Sequence, residues 1–472
     1  MAEILVLGAG LTGLTTAMLL ARDGHDVTVL ERDPAEPPPG AEASWTAWDR
    51  AGVAQFRQLH LMLPRWREVM ESELPGVLDA LRAAGGLDHN ALHHRPVAQT
   101  GGWQPGDERF ALVTARRPVV EAAVATVAAR CPGLRIRRGV GVTGLLTADG
   151  GAVPRVVGVR TDSGDVRADL VVDAGGRRST VTRWVVDAGG RAPVDERADC
   201  GFVYYGRHYR GEMPAGVDSA LTHNDSVSLL TLPADNGTWG VGITTSSRDR
   251  ALRELRHVPS WEAAMRCYPA TAGWIDAEPI TGVSVMAGIE DRQRQLVVDS
   301  VPVVTGLVAV GDAWACTNPS LGRGASIGAL HACVLRDVVA KEGTADPDAL
   351  ALRFAAETAS TVAPYVDSTL WFDRHRLAEI EADVAGVPYQ PEDPAWAMTR
   401  ALAAGGREDP VVARALATIA SMQATPGQVL GDPAVLERVA GYLGRPHHPP
   451  GADRAELLSA VRRAADGGRG VR

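Results

Sequence analysis

Lysine is almost missing from this chain. Of 48 basic residues only Lys341 is a lysine, so any mechanism that needs a lysine in the first 340 residues is excluded. Cysteine is scarce too. Cys131, Cys200, Cys267, Cys316 and Cys333 are odd in number, scattered and never spaced C-x-x-C. That usage argues against a disulfide framework or zinc site and for reduced thiols in a cytoplasm. Acidic residues outweigh basic ones, with a net charge of −9, which leaves no basic face for nucleic acid. No uninterrupted apolar run is long enough to span a bilayer, so no stable membrane insertion is expected. The first apolar run begins within three residues of Met1, leaving no room for a signal peptide. A cytoplasmic location is therefore expected. There is no internal repeat and no low-complexity linker.

What the chain does have is length and glycine. Its 472 residues, 45% hydrophobic, suffice for two or three domains with ample core. The opening stretch is the most informative. An apolar run, Ile4 to Leu7, leads into Gly8, Gly10 and Gly13 in the order G-x-G-x-x-G, with Leu11 and Thr12 between the last two. A helix-like segment follows, then Val27 to Leu30, ending on Glu31 and Arg32. Gly8 suits the tight turn out of a strand, Gly10 lets a pyrophosphate approach the backbone, and Gly13 lets helix and sheet pack closely. The helix start offers free N–H groups to phosphate, and Glu31 can accept from a ribose diol. Fifty-one glycines make the glycine order alone weak, and an ordinary βαβ unit is the alternative. Strand, glycines, helix, strand and acid in one run are much more specific.

Further along, a Pro-rich loop follows Glu31, and residues 53–84 read as helix with breaks at Pro64 and Pro75. Residues 117–130 repeat apolar positions at helical spacing, and 134–147, 155–161 and 166–173 read as strands. From about 200 to 287 the pattern is β-rich. Leu307–Val310 is a buried strand before Gly311-Asp312, and residues 346–472 look mainly helical and carry no recognisable chemistry. The fold class is therefore α/β: a Rossmann-like dinucleotide domain with an inserted β-sheet substrate domain and a helical C-terminal region. The nucleotide domain is expected in three parts, 1–90, 113–195 and 288–342. Substrate-domain segments are expected at 91–112 and 196–287, and the helical region at 343–472.

Two further runs bear on the same ligand. One is Asp173-Ala174-Gly175-Gly176-Arg177. The other spans Gly311-Asp312 to Asn318-Pro319, Gly322-Arg323-Gly324 and Ala325. Asp312 falls at the carboxyl end of a parallel strand, where it can accept from a polyol chain. Gly322 and Gly324 open a helix whose N–H groups can face an electron-rich ring edge.

GAGLTG…E, DAGGR and GDAWACTNPSLGRGAS together resemble the three signature motifs of the flavoprotein monooxygenase superfamily, with its glutathione-reductase-type FAD fold, over roughly residues 1–340. The resemblance implies that Asp312 contacts the flavin ribityl chain, that Pro319 to Gly324 line the isoalloxazine, and that Glu31 holds the adenosine ribose. Arg117 resembles an arginine at a helix start near FAD, with Arg116 the next candidate. It implies an FAD-dependent monooxygenase that forms a flavin C4a-hydroperoxide from O2 and hydroxylates or epoxidises a hydrophobic, natural-product-like substrate. The second motif reads Ala174-Gly175-Gly176 where aromatic hydroxylases carry A-D-G. That is closer to the squalene-epoxidase, polyether-epoxidase and geranylgeranyl-reductase branches. A reductase or dehydrogenase acting on C–C double bonds is thus one alternative, and a non-catalytic FAD-binding partner protein another. No second G-x-G-x-x-G for NAD(P)H is expected, so electrons come from NAD(P)H bound transiently or from a partner flavin reductase. Halogenation is unlike this chain, which lacks the active-site lysine and the W-x-W-x-I-P motif.

Candidates for contact with the reaction are few. Arg57 and His60 resemble a Q-x-R-x-x-H stretch of epoxidase-like enzymes, or are surface residues of a helix start. Tyr204, Tyr205, His208 and Tyr209 share a strand, so alternation sends half to each face, and Tyr205 is carried as a pocket candidate. Trp45 and Trp48 shield a flavin or simply pack. His89, His93 and His94 suggest a metal by count only, and no metal is expected.

Overall fold

The fold is described from a computed structural model, over residues 1–148, 151–214 and 221–469. Its centre is a five-stranded sheet in the order Leu307–Ala309, Leu170–Asp173, Glu3–Leu7, Asp26–Glu31, Leu134–Arg138, with every neighbouring pair parallel. Period-two geometry decides which side chain goes where. From the first strand, Ile4 and Val6 face a core shared with helices Leu11–Arg22, Arg117–Ala128 and Gly324–Glu342. Leu5 and Leu7 face the opposite core, shared with the antiparallel strands Val142–Thr147 and Val156–Thr161. Covered on both faces, these strands read as near-continuous apolar runs.

The chain leaves the first strand towards one edge and later returns on the other side of it. The carboxyl ends of the strands around such a switch point are where ligands bind in open α/β sheets.

The β-rich insertion is a second, antiparallel sheet, built on the nine-residue pairing of Phe202–Arg210 with Thr238–Ser246. Its back carries Val203, Tyr205, Tyr209, Val241 and Ile243, packed on helix Val258–Arg266 and on the last helix, Arg454–Arg469. Its front carries Gly206, Gly240 and Gly242 under Leu59, where a Cβ on any of them would come within 2.3–3.0 Å of the leucine side chain. These glycines make the groove through which residues 55–63 run between the two sheets.

Residues 53–63 are not helical, contrary to the expectation of a helix from 53. Pro64 and Pro75 instead start helices Pro64–Glu73 and Pro75–Ala83, each at a first-turn position that needs no N–H. Helices fill the chain after residue 346, as expected. No helix among the described residues is long and apolar enough to cross a membrane.

Candidate functional site

One continuous cavity of about 1420 Å³ runs from the carboxyl ends of the parallel strands, past the front of the antiparallel sheet, to the C-terminal helices. A single-ligand pocket takes roughly 300–1,000 Å³, so there is room for a cofactor and a second molecule.

At the nucleotide end the glycines behave as the spacing predicts. Gly8 has φ +103°, in the left-handed region, and a Cβ on Gly13 would sit 2.0 Å from the Gly8 carbonyl oxygen. Around Gly10, by contrast, a Cβ would meet nothing within 4 Å. The first turn of helix Leu11–Arg22 has no side-chain cap, so its N–H groups face that open space. An open, uncapped cradle at this glycine fits a dinucleotide pyrophosphate. Leu11 and Thr12 line the cavity there, the Thr12 side chain packing towards Gly311 and Gly328.

Glu31 lines the cavity too, but not alone. Its carboxylate accepts from the Ala9 N–H at 2.8 Å, from the Asp33 N–H at 3.0 Å and from Arg50 Nη2 at 2.7 Å. Arg50 also reaches Glu121 at 2.5 Å, and Glu121 in turn takes Arg117 Nε at 2.7 Å. Arg117 Nη1 then donates to His60 Nε2 at 2.9 Å. A chain of alternating charge thus links the expected ribose site to His60, which also lines the cavity. Burial pushes the Glu121 carboxyl up, but Arg117 and Arg50 together hold it below its ordinary value. His60 Nδ1–H donates to the Gln58 carbonyl at 3.0 Å, which fixes one neutral tautomer. Burial and then Arg117 push His60 down to about 3.

The second and third motifs meet at a residue that no motif flags. Asp173 accepts from Ser179 Oγ and from the Gly175 N–H at 2.9 Å. Fully buried Arg294 donates to the carbonyls of Ser179 and Ala313, joining the two turns. Asp312 lines the cavity, and no described residue donates a hydrogen bond to its carboxylate, which leaves it free for a ligand hydroxyl. Burial raises its pKa. Gly175, Pro319, Gly322, Gly324 and Ala325 line the cavity as well, and Arg32, beside Gly52, lines it next to Glu31. Helix Gly324–Glu342 starts here without a side-chain cap.

Arg323 also lines the wall, but its guanidinium turns away into helix Ala363–Val384, donating to Ser368 at 2.9 Å and Thr369 at 3.0 Å. Beside it, Asp373 accepts from Ser320 Oγ at 2.6 Å, and Tyr204 Oη donates to Asn318 Oδ1 at 2.6 Å. The Asn318–Leu321 turn is thus pinned from both the sheet and the C-terminal region. Burial raises Asp373 to about 7, against the opposing Ser320 hydrogen bond.

Four expectations are corrected. Arg116 does not face the cavity. Its guanidinium is buried against Asp235, 2.7 Å away, and ties the start of helix Arg117–Ala128 to the turn between strands Ser228–Pro233 and Thr238–Ser246. Arg57 is spent on the carbonyls of Trp45 and Trp48 and on Asp49. Tyr205 points into the core behind the sheet, because alternation turns Tyr204 instead towards the Asn318 turn. The G-x-G-x-x-G order does recur, at Gly139, Gly141 and Gly144. It runs into antiparallel strand Val142–Thr147 and not into a helix, so it lacks the N-terminus that phosphates need.

Trp45 and Trp48 are buried and pack, against His208 and Phe56 respectively. His89 stacks on His94 in the polar loop. The set able to hold a metal among the described residues is elsewhere, at Glu379, His447 and His448. The five cysteines are free. The residues missed altogether lie past 346. Trp371, Phe372, Trp396, Leu402, Leu416 and Ile419 wall the far half of the cavity. Their helical pattern is visible in the sequence, but nothing in it says that the buried faces enclose a ligand.

The family model for FAD-dependent oxidoreductases matches residues 3–329. The chain belongs to the FAD-dependent oxidoreductase family. Protein Rv3254 of Mycobacterium tuberculosis is 28% identical over 391 residues, covering 76% of this chain and 77% of its own. Among solved structures, PqsL of Pseudomonas aeruginosa, described as a probable FAD-dependent monooxygenase, is similar with a TM-score of 0.56 at 19% identity, over 80% of this chain and 99% of that one. OxyS anhydrotetracycline hydroxylase of Streptomyces rimosus is similar with a TM-score of 0.53 at 20% identity, over 89% and 76%. At such identities the likeness is one of fold. The protein is thus an FAD-dependent oxidoreductase with the fold expected, and its open Gly10 cradle and free Asp312 carboxylate fit that cofactor.

Proposed function

We propose that this flavoprotein is a cytoplasmic monooxygenase that inserts one oxygen atom into a hydrophobic small molecule, by hydroxylation or epoxidation. The observation that carries the reading is the continuity of the cavity: the wall of Asp312, Pro319 and Gly324 opens directly onto an apolar chamber lined by Trp371, Phe372 and Trp396. FAD bound there supplies two-electron redox chemistry and, once reduced, a partner for O2. The printed descriptions of PqsL and OxyS support this choice within the family.

The roles of the chain's own residues follow from their surroundings. Gly10 and the first turn of the 11–22 helix hold pyrophosphate, and Glu31, braced by Arg50, receives a ribose hydroxyl. Asp312 accepts from the polyol chain. The N–H groups that open the 324–342 helix, free of any side-chain cap, would stabilise the negative charge that a bound flavin gains on reduction. Neutral His60, held by Gln58 and Arg117, presents no mobile charge to the chamber. Apolar walls exclude water and orient the substrate. No side chain is required as a nucleophile. Electrons arrive from NAD(P)H docking transiently or from a partner flavin reductase.

The test is product mass. Purified holoprotein is expected to be yellow and to consume O2 with a reductant and substrate, giving product heavier by one oxygen. Product heavier by two hydrogens, without O2 uptake, would establish the reductase alternative. Failure of the flavin to be reduced by every donor tried would favour a non-catalytic partner protein.

A further inference from the structure

The apolar chamber ends on charge. Arg376 and Glu379 from the 363–384 helix, Arg400 from helix Pro394–Gly405, Arg407 just beyond it and His447 from the loop between helices Pro433–Ala440 and Arg454–Arg469 all line this end. Glu379 is the carboxylate they share. Arg376 Nη1 lies 2.7 Å from it, Arg400 Nη2 2.9 Å and His447 Nε2 3.0 Å. Arg376 spends its other donors on Ser228 Oγ and the carbonyls of Asn224 and Val227. Arg407 donates to the carbonyls of Ala403, Pro446, His447 and His448. Among the described residues it pairs with no carboxylate.

Other acids near this end are directed elsewhere. Asp225 lies 3.5 Å from His448 Nε2 with half its side chain exposed, Asp383 accepts from Ser226, and Glu408 pairs with Arg445. None of the three lines the cavity. Three guanidiniums therefore share one carboxylate within a partly desolvated wall, while Asp225 and Asp383 act on Arg376, and Glu408 on Arg407, from outside it. Burial holds both Arg376 and Arg407 below the ordinary guanidinium value. Cations in that setting are costly unless paired. A metal at Glu379, His447 and His448 would add to the excess of positive charge. An anion would relieve it.

We propose that this end of the cavity is an anion-binding subsite, in which Arg400 and Arg407, backed by Arg376 and His447, receive the carboxylate of an otherwise apolar substrate. The proposal rests on reading the chamber as the substrate site. It adds polarity of binding: the carboxylate end lies at the C-terminal helices and the apolar body points towards Asp312 and Gly324. Arg400 Nη1 and Arg407 Nε carry no hydrogen bond to a described residue, and each can give a charge-assisted hydrogen bond to one carboxylate.

The test compares dodecanoate with dodecanol, titrated into the FAD-loaded full-length protein by calorimetry. Dodecanoate is expected to bind on the order of tenfold tighter or more, as one charge-assisted contact implies. Arg407→Gln and Arg400→Gln should each cut that preference several-fold while dodecanol affinity holds. Glu379→Gln should raise it. Opposite signs separate a charge effect from structural damage, which would weaken binding in all three variants. If Arg407→Gln fails to fold, Arg407→Lys, which keeps the charge and loses the Nε donor, should retain part of the preference. Equal affinity for the two probes, binding of neither, or a preference unchanged in the arginine variants overturns the subsite. Because the readout is binding alone, oxygen insertion can stand or fall separately by product mass.

Discussion

The two ends of the cavity are made from different materials. At the nucleotide end the backbone does the holding. Glycines at positions 8, 10 and 13 open a cradle of N–H groups, and the contributing residues lie within a few positions of one another. At the far end, side chains do it. Trp371 and Arg376 share one helix, but Trp396, Arg407 and His447 come from later segments, and the five meet only after the helices have packed. A backbone site tolerates almost any side chain except at its glycines, whereas a side-chain site changes character with each substitution. The first suits the cofactor shared by the FAD-dependent oxidoreductase family.

Five variants can break or sharpen this contrast. The largest effect is expected from Glu121→Ala, which leaves Arg117 without its ion-pair partner and Arg50 with Glu31 as its close one, at a cost of about 3–5 kcal/mol. Chemical denaturation measures it, and a loss below 1 kcal/mol would mean that the charge chain does not brace the nucleotide end. Next comes a pair. Gly13→Ala drives a Cβ into the Gly8 carbonyl and should cost about 3 kcal/mol. Gly10→Ala meets nothing and should change stability by less than about 0.5 kcal/mol, yet FAD retention should fall tenfold or more, about 1.4 kcal/mol. If Gly10→Ala keeps its flavin, the cradle has been misread.

Trp396→Phe trims the far wall, where the indole stacks on His375 and meets Trp371 and Phe372. It should raise KM by about 1–2 kcal/mol of lost contact and leave flavin content untouched. Flavin loss in this variant would contradict the independence of the two ends.

The smallest effect concerns the seam between them. The Asp373 carboxyl, raised in the folded protein to about 7, is protonated there at pH values where the unfolded chain has already released its proton. The folded state therefore binds more protons, and stability from this group falls as pH rises from about 4 to about 7. Asp373→Asn keeps an acceptor for Ser320 and removes that dependence. Its melting temperature should exceed that of the parent at pH 8, on the order of 1–3 °C, and match it near pH 4. A constant difference across pH would refute the assignment.

The same contrast governs what could be read from letters alone. Gly8, Gly10, Gly13, Glu31, Asp312 and Gly324 were legible because backbone constraints need particular residues at short, fixed spacings. Arg117 was legible by its helix start, but the neighbouring Arg116 was not distinguishable from it. Only the fold reveals that one faces Glu121 and the other Asp235. Tyr204 and Tyr205 could not be told apart either, since alternation gives two faces without saying which one meets the cavity. Prolines 64 and 75 were read as breaks because the start of one helix and the end of another look alike when the preceding segment is also apolar. The far wall was illegible for a different reason. An amphipathic helix packed on a core and one that closes a chamber have the same periodicity.

The central sheet also sets a timetable for the growing chain. Strand Leu170–Asp173 lies between Glu3–Leu7 and Leu307–Ala309, so one of its edges waits for a partner that is made more than a hundred residues later. At about 5–20 residues per second of synthesis, the wait lasts roughly 7–27 s. During that interval a short apolar edge is open on the ribosome, the Asp312 turn does not yet exist, and a dinucleotide can be held by its adenosine half only.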